Sequence, residues 1–147
     1  MNRFLARFAV KNMQLGLSRT WVLPVIDEAQ QSQKELLAAY CSLAVSTVMR
    51  EEVPSDKSLP GYPVSVVLLA RLGADKQFEG QGLGGKTLIT ALRKAGQLTE
   101  AGLPAPGVVL DVLDENALGF YQHYEMFRQF TDNPMRLFVS MHTLRQI

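Results

Sequence analysis

Gln77-Phe78-Glu79-Gly80-Gln81-Gly82-Leu83-Gly84-Gly85-Lys86-Thr87 carries more information than any other stretch of this 147-residue chain. Three anion-binding patterns overlap in it. Gly80-x4-Gly85-Lys86-Thr87 matches the P-loop of nucleoside-triphosphate enzymes, and Gly80-x-Gly82-x-x-Gly85 matches the dinucleotide fingerprint. Gln77-x-x-Gly80-x-Gly82 is a third glycine pattern of the same kind. Each puts unhindered backbone N–H groups at the start of a helix, where unpaired amides and the helix dipole attract a phosphate. The stretch implies a phosphate-bearing ligand, and its surroundings must say which.

Those surroundings disfavour the first two patterns. A P-loop follows directly from the end of a buried parallel strand. Here the apolar run from Val64 to Leu72 gives way to Gly73-Ala74-Asp75-Lys76 before any glycine of the loop. Val108-Val109-Leu110-Asp111 imitates a strand ending in a magnesium-binding carboxylate. A P-loop fold would then need further parallel strands, each with a crossover of about a dozen residues or more. The chain instead continues with one short helix and two short strands, 126–130 and 137–141, separated by Thr131-Asp132-Asn133-Pro134. That is hairpin punctuation. The dinucleotide pattern fails because Glu100, at about the spacing of a ribose-binding acid, falls in a turn ending at Gly102 rather than at a strand end.

Composition bounds the answer without deciding it. A hydrophobic content of 47% over this length suits one cored domain, expected to span 1–147. The one cysteine, Cys41, excludes an internal disulfide, and no uncharged apolar run is long enough for a membrane span. Arg3, Arg7 and Lys11 interrupt the apolar segments around Phe8, so no signal-peptide pattern is present. A cytoplasmic protein is expected. The net charge of +1 makes no case for nucleic acid, but its distribution is uneven: no Asp or Glu precedes Asp27, whereas Arg3, Arg7, Lys11 and Arg19 do.

Hydrophobic periodicity predicts an α/β chain. Residues 2–15 form an amphipathic helix ended by Gly16, with Phe4, Phe8 and Leu15 on one side and Arg3, Arg7 and Lys11 at four-residue steps on another. Strands are expected over 20–26 and 36–48, with a polar turn at 27–34 between them. After a loop over 50–63, residues 64–72 make a continuous apolar strand suited to a sheet interior. A helix over 84–99 turns Leu88, Ile89, Leu92 and Ala95 inward. A strand over 108–112, a short helix over 116–124 and the terminal hairpin complete the chain.

Several short motifs in this order resemble the GNAT superfamily of N-acetyltransferases. They are Leu69-Ala70-Arg71-Leu72-Gly73-Ala74-Asp75, Gln77-x-x-Gly80-x-Gly82-Leu83-Gly84, Asp114-Glu115-Asn116-Ala117-x-x-Phe120-Tyr121 and Arg136-Leu137-Phe138-Val139-Ser140-Met141. With Ser18-Arg19-Thr20-Trp21 and Arg50-Glu51-Glu52-Val53-Pro54 upstream, the similarity runs over essentially the whole chain. It is greatest to the toxin branch of type II toxin–antitoxin systems. The resemblance implies a mixed α/β (α+β) sheet with a splayed parallel pair at an acetyl-CoA site, here lacking the family's first strand. It implies acetyl-CoA as donor, no metal, and a primary amine as acceptor. For the toxin branch it further implies aminoacyl-tRNA as acceptor, a ribbon-helix-helix antitoxin and a homodimer. One departure concerns the last helix, where the family's glycine after Phe-Tyr-x-x-x is Glu125. Glycine supplies a left-handed helix exit that costs other residues roughly 1 kcal/mol, so Glu125 is expected to shift the helix end.

By resemblance, the backbone of Leu72, Gly73 and Ala74 meets the pantetheine arm, as a strand edge pairs with an amide-bearing ligand. Gln77, Phe78, Glu79, Gly80, Gln81, Gly82, Leu83 and Gly84 form the pyrophosphate cradle, the glycines allowing close approach. Asn116 and Phe120 are cofactor contacts; Asn116 is equally suited to capping the helix after it. Tyr121 is the candidate general acid for the departing thiolate, its other role being a core tyrosine beside Phe120. A phenol pKa of about 10 against a thiol's of about 8.5 makes full transfer uphill by about 2 kcal/mol, and partial transfer still helps. Arg3, Arg7, Lys11 and Arg71 are candidate tRNA contacts, and Lys76, Lys86, Arg93 and Lys94 extend the positive surface; solvated charge is the plain alternative for all.

No general base stands out among Glu51, Glu52, Asp111 and His123. The acceptor explains this. A lysine amine costs roughly 4–5 kcal/mol to deprotonate at pH 7, an α-amine only about 1. Cys41, among apolar neighbours, reads as a small buried residue. Three functions stay open: a toxin acting on charged tRNA, a housekeeping or small-molecule acetyltransferase, and a P-loop enzyme or inactive remnant.

Overall fold

A computed structural model describes residues 4–24, 37–54, 59, 61–76 and 80–147. Its frame is a six-stranded sheet in the order β1-β2-β3-β4-β6-β5. The strands are β1 (Arg19–Pro24), β2 (Leu37–Val48), β3 (Val64–Ala74), β4 (Gly107–Asp111), β5 (Arg128–Gln129) and β6 (Arg136–Ser140). The first three form an antiparallel meander, β4 runs parallel to β3, and β6 returns antiparallel between β4 and β5. The expected mixed sheet with one parallel pair is therefore present. Among the described residues its first edge is β1.

The helices fall on both faces. α1 opens with a π-helical turn, Leu5–Ala9, and continues as an α-helix over Val10–Gln14. α2 (Leu83–Glu100) crosses between the parallel strands, α3 (Glu115–Gln122) comes after β4, and α4 (Met141–Leu144) ends the chain. Leu88, Ala91, Leu92 and Ala95 of α2 recur every three or four residues and are fully buried against Leu43, Val67, Leu69, Val108 and Leu110. The inner strands read as continuous apolar runs because helices or loops cover both faces. On the other face Phe4 and Ala9 of α1 pack on Tyr40, and Val66, Val109, Phe130 and Phe138 make a separate cluster.

Several expectations are corrected. The opening helix is mixed, and Phe8 and Leu15 are exposed at 46% and 62%, so Phe4 and Ala9 rather than a Phe4–Phe8–Leu15 stripe face the sheet. A π turn rotates the following residues off the 100° step that put Phe8 in line. The strand expected over 126–130 shrinks to Arg128–Gln129, and β6 gives way to α4 rather than continuing, because the Ser140 side chain accepts a hydrogen bond from the Thr143 N–H at 3.2 Å and caps a new helix. The turn placed at 27–34, Ile26 and Leu36 lie outside the described residues, as do Arg3, Gln77, Phe78 and Glu79.

Candidate active site

The parallel pair is short. Only Val67 with Val108 and Leu68 with Val109 are in register, although β3 runs on to Ala74 and β4 to Asp111. Opposite Ser42 and Leu43 the β2–β3 register shifts, leaving Ala70 as an extra residue. Such a bulge bends a strand and increases its twist. It sits two residues past the last β3–β4 pair, so β3 turns away from β4 at the carboxyl ends of both strands. Among the described residues the β4-facing edge of β3 has no strand neighbour beyond Leu68, and that edge includes Leu72, Gly73 and Ala74. A ligand carrying amides can take the vacant ladder positions.

Gly80 and Gly82 of the glycine stretch lie between the end of β3 and the start of α2. Gly80 and Gly82 have φ of +86° and +72°, left-handed values that residues with a Cβ seldom adopt. Gly82 caps α2 without a side-chain partner. Intrahelical bonding begins with the Lys86 N–H to the Gly82 carbonyl at 3.1 Å, so the N–H groups of Leu83, Gly84 and Gly85 precede it. Three backbone donors and the positive end of an 18-residue helix thus point at one place.

Aromatic residues of α3 and its exit close the site. A Cβ on Gly84 would touch the Phe120 ring at 3.8 Å, and one on Gly85 would collide with the Tyr124 hydroxyl. Phe120 meets Tyr121 edge-on at 5.0 Å and Tyr124 at 5.8 Å. Tyr121 also meets Phe127 edge-on at 5.7 Å and packs on the main core. Burial pushes its phenol above the usual value, so it is protonated at neutral pH. A cleft of about 480 Å³ beside the glycines is lined by Gly82, Gly85, Lys86, Thr90, Arg93 and Tyr124. A separate cavity of about 310 Å³ lies by Pro106 and Ser140, at the amino end of β4 and away from this opening.

The structure therefore sets Gly84 against the Phe120 ring and puts Gly82 and Gly85 in one cleft with Tyr124, while Leu72, Gly73 and Ala74 lie at the end of β3, Gly80 precedes α2 and Leu83 opens it. Asn116 is exposed in the first turn of α3. It is not the cap: the Asp114 side chain accepts from the Ala117 N–H at 2.8 Å and fills that role. Glu125 does not distort the exit either. No non-glycine residue among those described has positive φ, and α3 leaves through right-handed His123. Arg7, Lys11 and Arg71 are exposed, with Arg71 on β3 and the other two on α1. Sequence reasoning does not single out Tyr124 or Phe4 as site residues; the four-residue step from Phe120 to Tyr124 is the available signal for the first.

The P-loop alternative loses its parts. Thr87 donates its hydroxyl to the Leu83 carbonyl at 2.7 Å, within the helix. Asp111 accepts two bonds from Arg136, at 2.8 and 3.1 Å, so the carboxylate meant for magnesium is held by a guanidinium. Cys41 is buried, and burial raises its thiol. Among the described residues no group of three or more His, Cys, Asp or Glu gathers to hold a metal, and no helix is long and apolar enough to cross a membrane.

No family model matches the chain. A tRNA-acetylating toxin of Mycobacterium tuberculosis is 30% identical over 114 residues, 76% of this chain and 66% of that protein, so the match spans about two thirds of the relative's length. Among solved structures, a tyrosine-to-phenylalanine mutant of KacT superposes with a TM-score of 0.85 at 25% identity, covering 99% of this chain and 84% of that one. AtaT complexed with acetyl-methionyl-tRNAfMet gives 0.82 at 22%, covering 99% and 84%. An AtaT mutant bound to the C-terminus of the antitoxin AtaR and acetyl-CoA gives 0.76 at 20%, covering 99% and 81%.

Proposed function

Because this chain belongs to the GNAT superfamily of N-acetyltransferases, among its toxins, we propose that it transfers acetyl from acetyl-CoA to the α-amine of an aminoacyl-tRNA and so blocks translation. The observation that carries the reading is the splay of β3 from β4 in front of the glycine-capped start of α2. Acetyl-CoA supplies a thioester-activated acetyl group. The open edge of Leu72, Gly73 and Ala74 pairs with its pantetheine arm. Amides of the glycine stretch, which by sequence includes Gln77, Phe78, Glu79 and Gln81, hold its pyrophosphate. Phe120 and Asn116 flank it. Lys86 and Arg93 add positive charge along the cleft.

The acceptor amine, neutral in a usable fraction at pH 7, attacks the carbonyl carbon. The C–N bond forms as the C–S bond breaks, and Tyr121 passes its proton toward the departing sulfur. Bulk solvent takes the proton lost by the amine. Arg7, Lys11 and Arg71, with Arg3, offer positive charge to the RNA. The whole of 1–147 acts as one cytoplasmic domain. A ribbon-helix-helix antitoxin neutralises it, and the active form is a homodimer.

Expression without a partner is the test. The chain should arrest growth and leave acetylated α-amines on aminoacyl-tRNA, read by mass spectrometry of the released N-acetyl amino acids. A folded, acetyl-CoA-loaded protein that leaves charged tRNA unmodified while acetylating free amines would replace this reading with a small-molecule acetyltransferase.

A further inference from the structure

Side chains alternate along β3, and the consequence at its far end is a division of labour between faces. Leu72 packs with the α2 core, the face of the glycine stretch. Arg71, its neighbour, points the other way. Its guanidinium carbon stands 4.6 Å from the centre of the Phe4 ring. Phe4 is buried and stacks on buried Tyr40, centroids 6.0 Å apart and planes at 22°. Arg71 itself is exposed. Opposite Ser42, it comes directly after the Ala70 bulge, where β3 has already left β4. The guanidinium of a long flexible side chain thus sits over an aromatic support at the mouth of the splay, on the face opposite α2.

A guanidinium with one face on a ring leaves its other face to stack on a second plane, and Arg planes serve this purpose for unpaired nucleobases. We propose that Arg71, positioned by Phe4 and Tyr40, is a stacking platform for the unpaired 3′-terminal base of the acceptor RNA, so that the RNA end enters from the α1 face while acetyl-CoA occupies the α2 face. The assignment deepens the function proposed above and rests on it. It differs from a phosphate contact, because stacking needs the plane of arginine whereas a phosphate accepts any cation.

The test is binding of a fluorescently labelled short single-stranded RNA with a free 3′ end, by anisotropy across a salt series, with acetyl-CoA saturating. Arg71→Lys, which keeps the charge and loses the plane, should weaken binding roughly 5- to 100-fold. The slope of log affinity against log salt should stay unchanged. Phe4→Leu, which keeps the apolar burial, should weaken it in the same direction while acetyl-CoA binding holds. If Phe4→Leu does not fold, Arg71→Lys decides alone, since its site is exposed. Binding by Arg71→Lys equal to the parent's overturns the proposal. So does a loss confined to Arg71→Gln with the slope falling by about 0.7, the mark of one single-strand phosphate contact. A parent that acetylates charged tRNA while Arg71→Lys binds as the parent sinks only the platform; a parent inert toward charged tRNA and unable to bind the RNA sinks the function as well.

Discussion

Tyr124 lies with its hydroxyl against the Cα of Gly85, so close that a Cβ there would collide with it. The contact ties the exit of α3 to the first turn of α2 and forms one wall of the cleft beside the glycine stretch. Gly85→Ala gains up to about 1 kcal/mol of helix propensity, and the phenol at the end of a flexible side chain can swing aside. Thermal stability should stay within a few degrees while acetyl-CoA affinity falls by roughly 3- to 10-fold, measured by calorimetry. In a Tyr124→Phe background the same substitution should cost much less, and the double-mutant cycle gives their coupling. Equal losses in both backgrounds would remove Tyr124 from the explanation.

Gly82 caps α2 at φ +72°. Gly82→Ala should cost about 1–2 kcal/mol of stability through the left-handed backbone alone. Gly82→Asp adds a carboxylate where an anion is held, and acetyl-CoA binding in the presence of a chelator should drop by more than about 10-fold relative to Gly82→Ala. Equal affinities for the two variants would mean that no anion sits against this helix start.

Tyr121→Phe keeps the edge-on contacts with Phe120 and Phe127 and removes the phenol proton. The acetylation rate should fall by roughly 10²–10⁴ with acetyl-CoA binding unchanged. Burial also has a pH consequence, because it raises the phenol of the folded chain. The stability it contributes is fully present below the unfolded value of about 10 and is lost as pH rises through the folded value. Alkaline unfolding of Tyr121→Phe should therefore be less steep above pH about 10. Identical alkaline profiles would mean that the phenol is not the buried titrating group.

Asp111 and Arg136 are paired by two bonds at the end of β4 and the start of β6, with side chains 53% and 30% exposed. Asp111→Asn should cost no more than about 1 kcal/mol, as exposed pairs do. Acetyl transfer should be unaffected. A large loss of activity, or magnesium-dependent nucleotide binding by the parent, would reopen the P-loop alternative.

Gly107 begins β4 under crowded packing: a Cβ there would run into the Val139 carbonyl, and would lie 2.5 Å from the Phe138 ring. A backbone carbonyl cannot swing away. Gly107→Ala should destabilise by at least about 1–3 kcal/mol, visible as a lower midpoint in urea. A midpoint equal to the parent's would mean that β4 and β6 can separate at no cost.

The class of ligand and the order of elements are legible in the chain as written. Glycines at 80 and 82 before an amphipathic run announce an anion at a helix start, and the continuous apolar stretches at 64–72 and 108–112 announce interior strands, because both signals are local. Even the choice among three glycine patterns rests on the residues to either side of the loop. Features that join residues far apart in the chain needed the folded molecule. The splay exists because the Ala70 bulge falls opposite Ser42 just past the last β3–β4 pair, a matter of register that apolar periodicity does not record. Asp114 rather than Asn116 is the cap because capping depends on where the first turn closes. Glu125 carries no strain because α3 has already ended through right-handed His123, so no left-handed exit is required of it. Arg71, one of several scattered cations in sequence, is singled out by the buried ring of Phe4, near the start of the chain, over which its guanidinium sits at the end of β3.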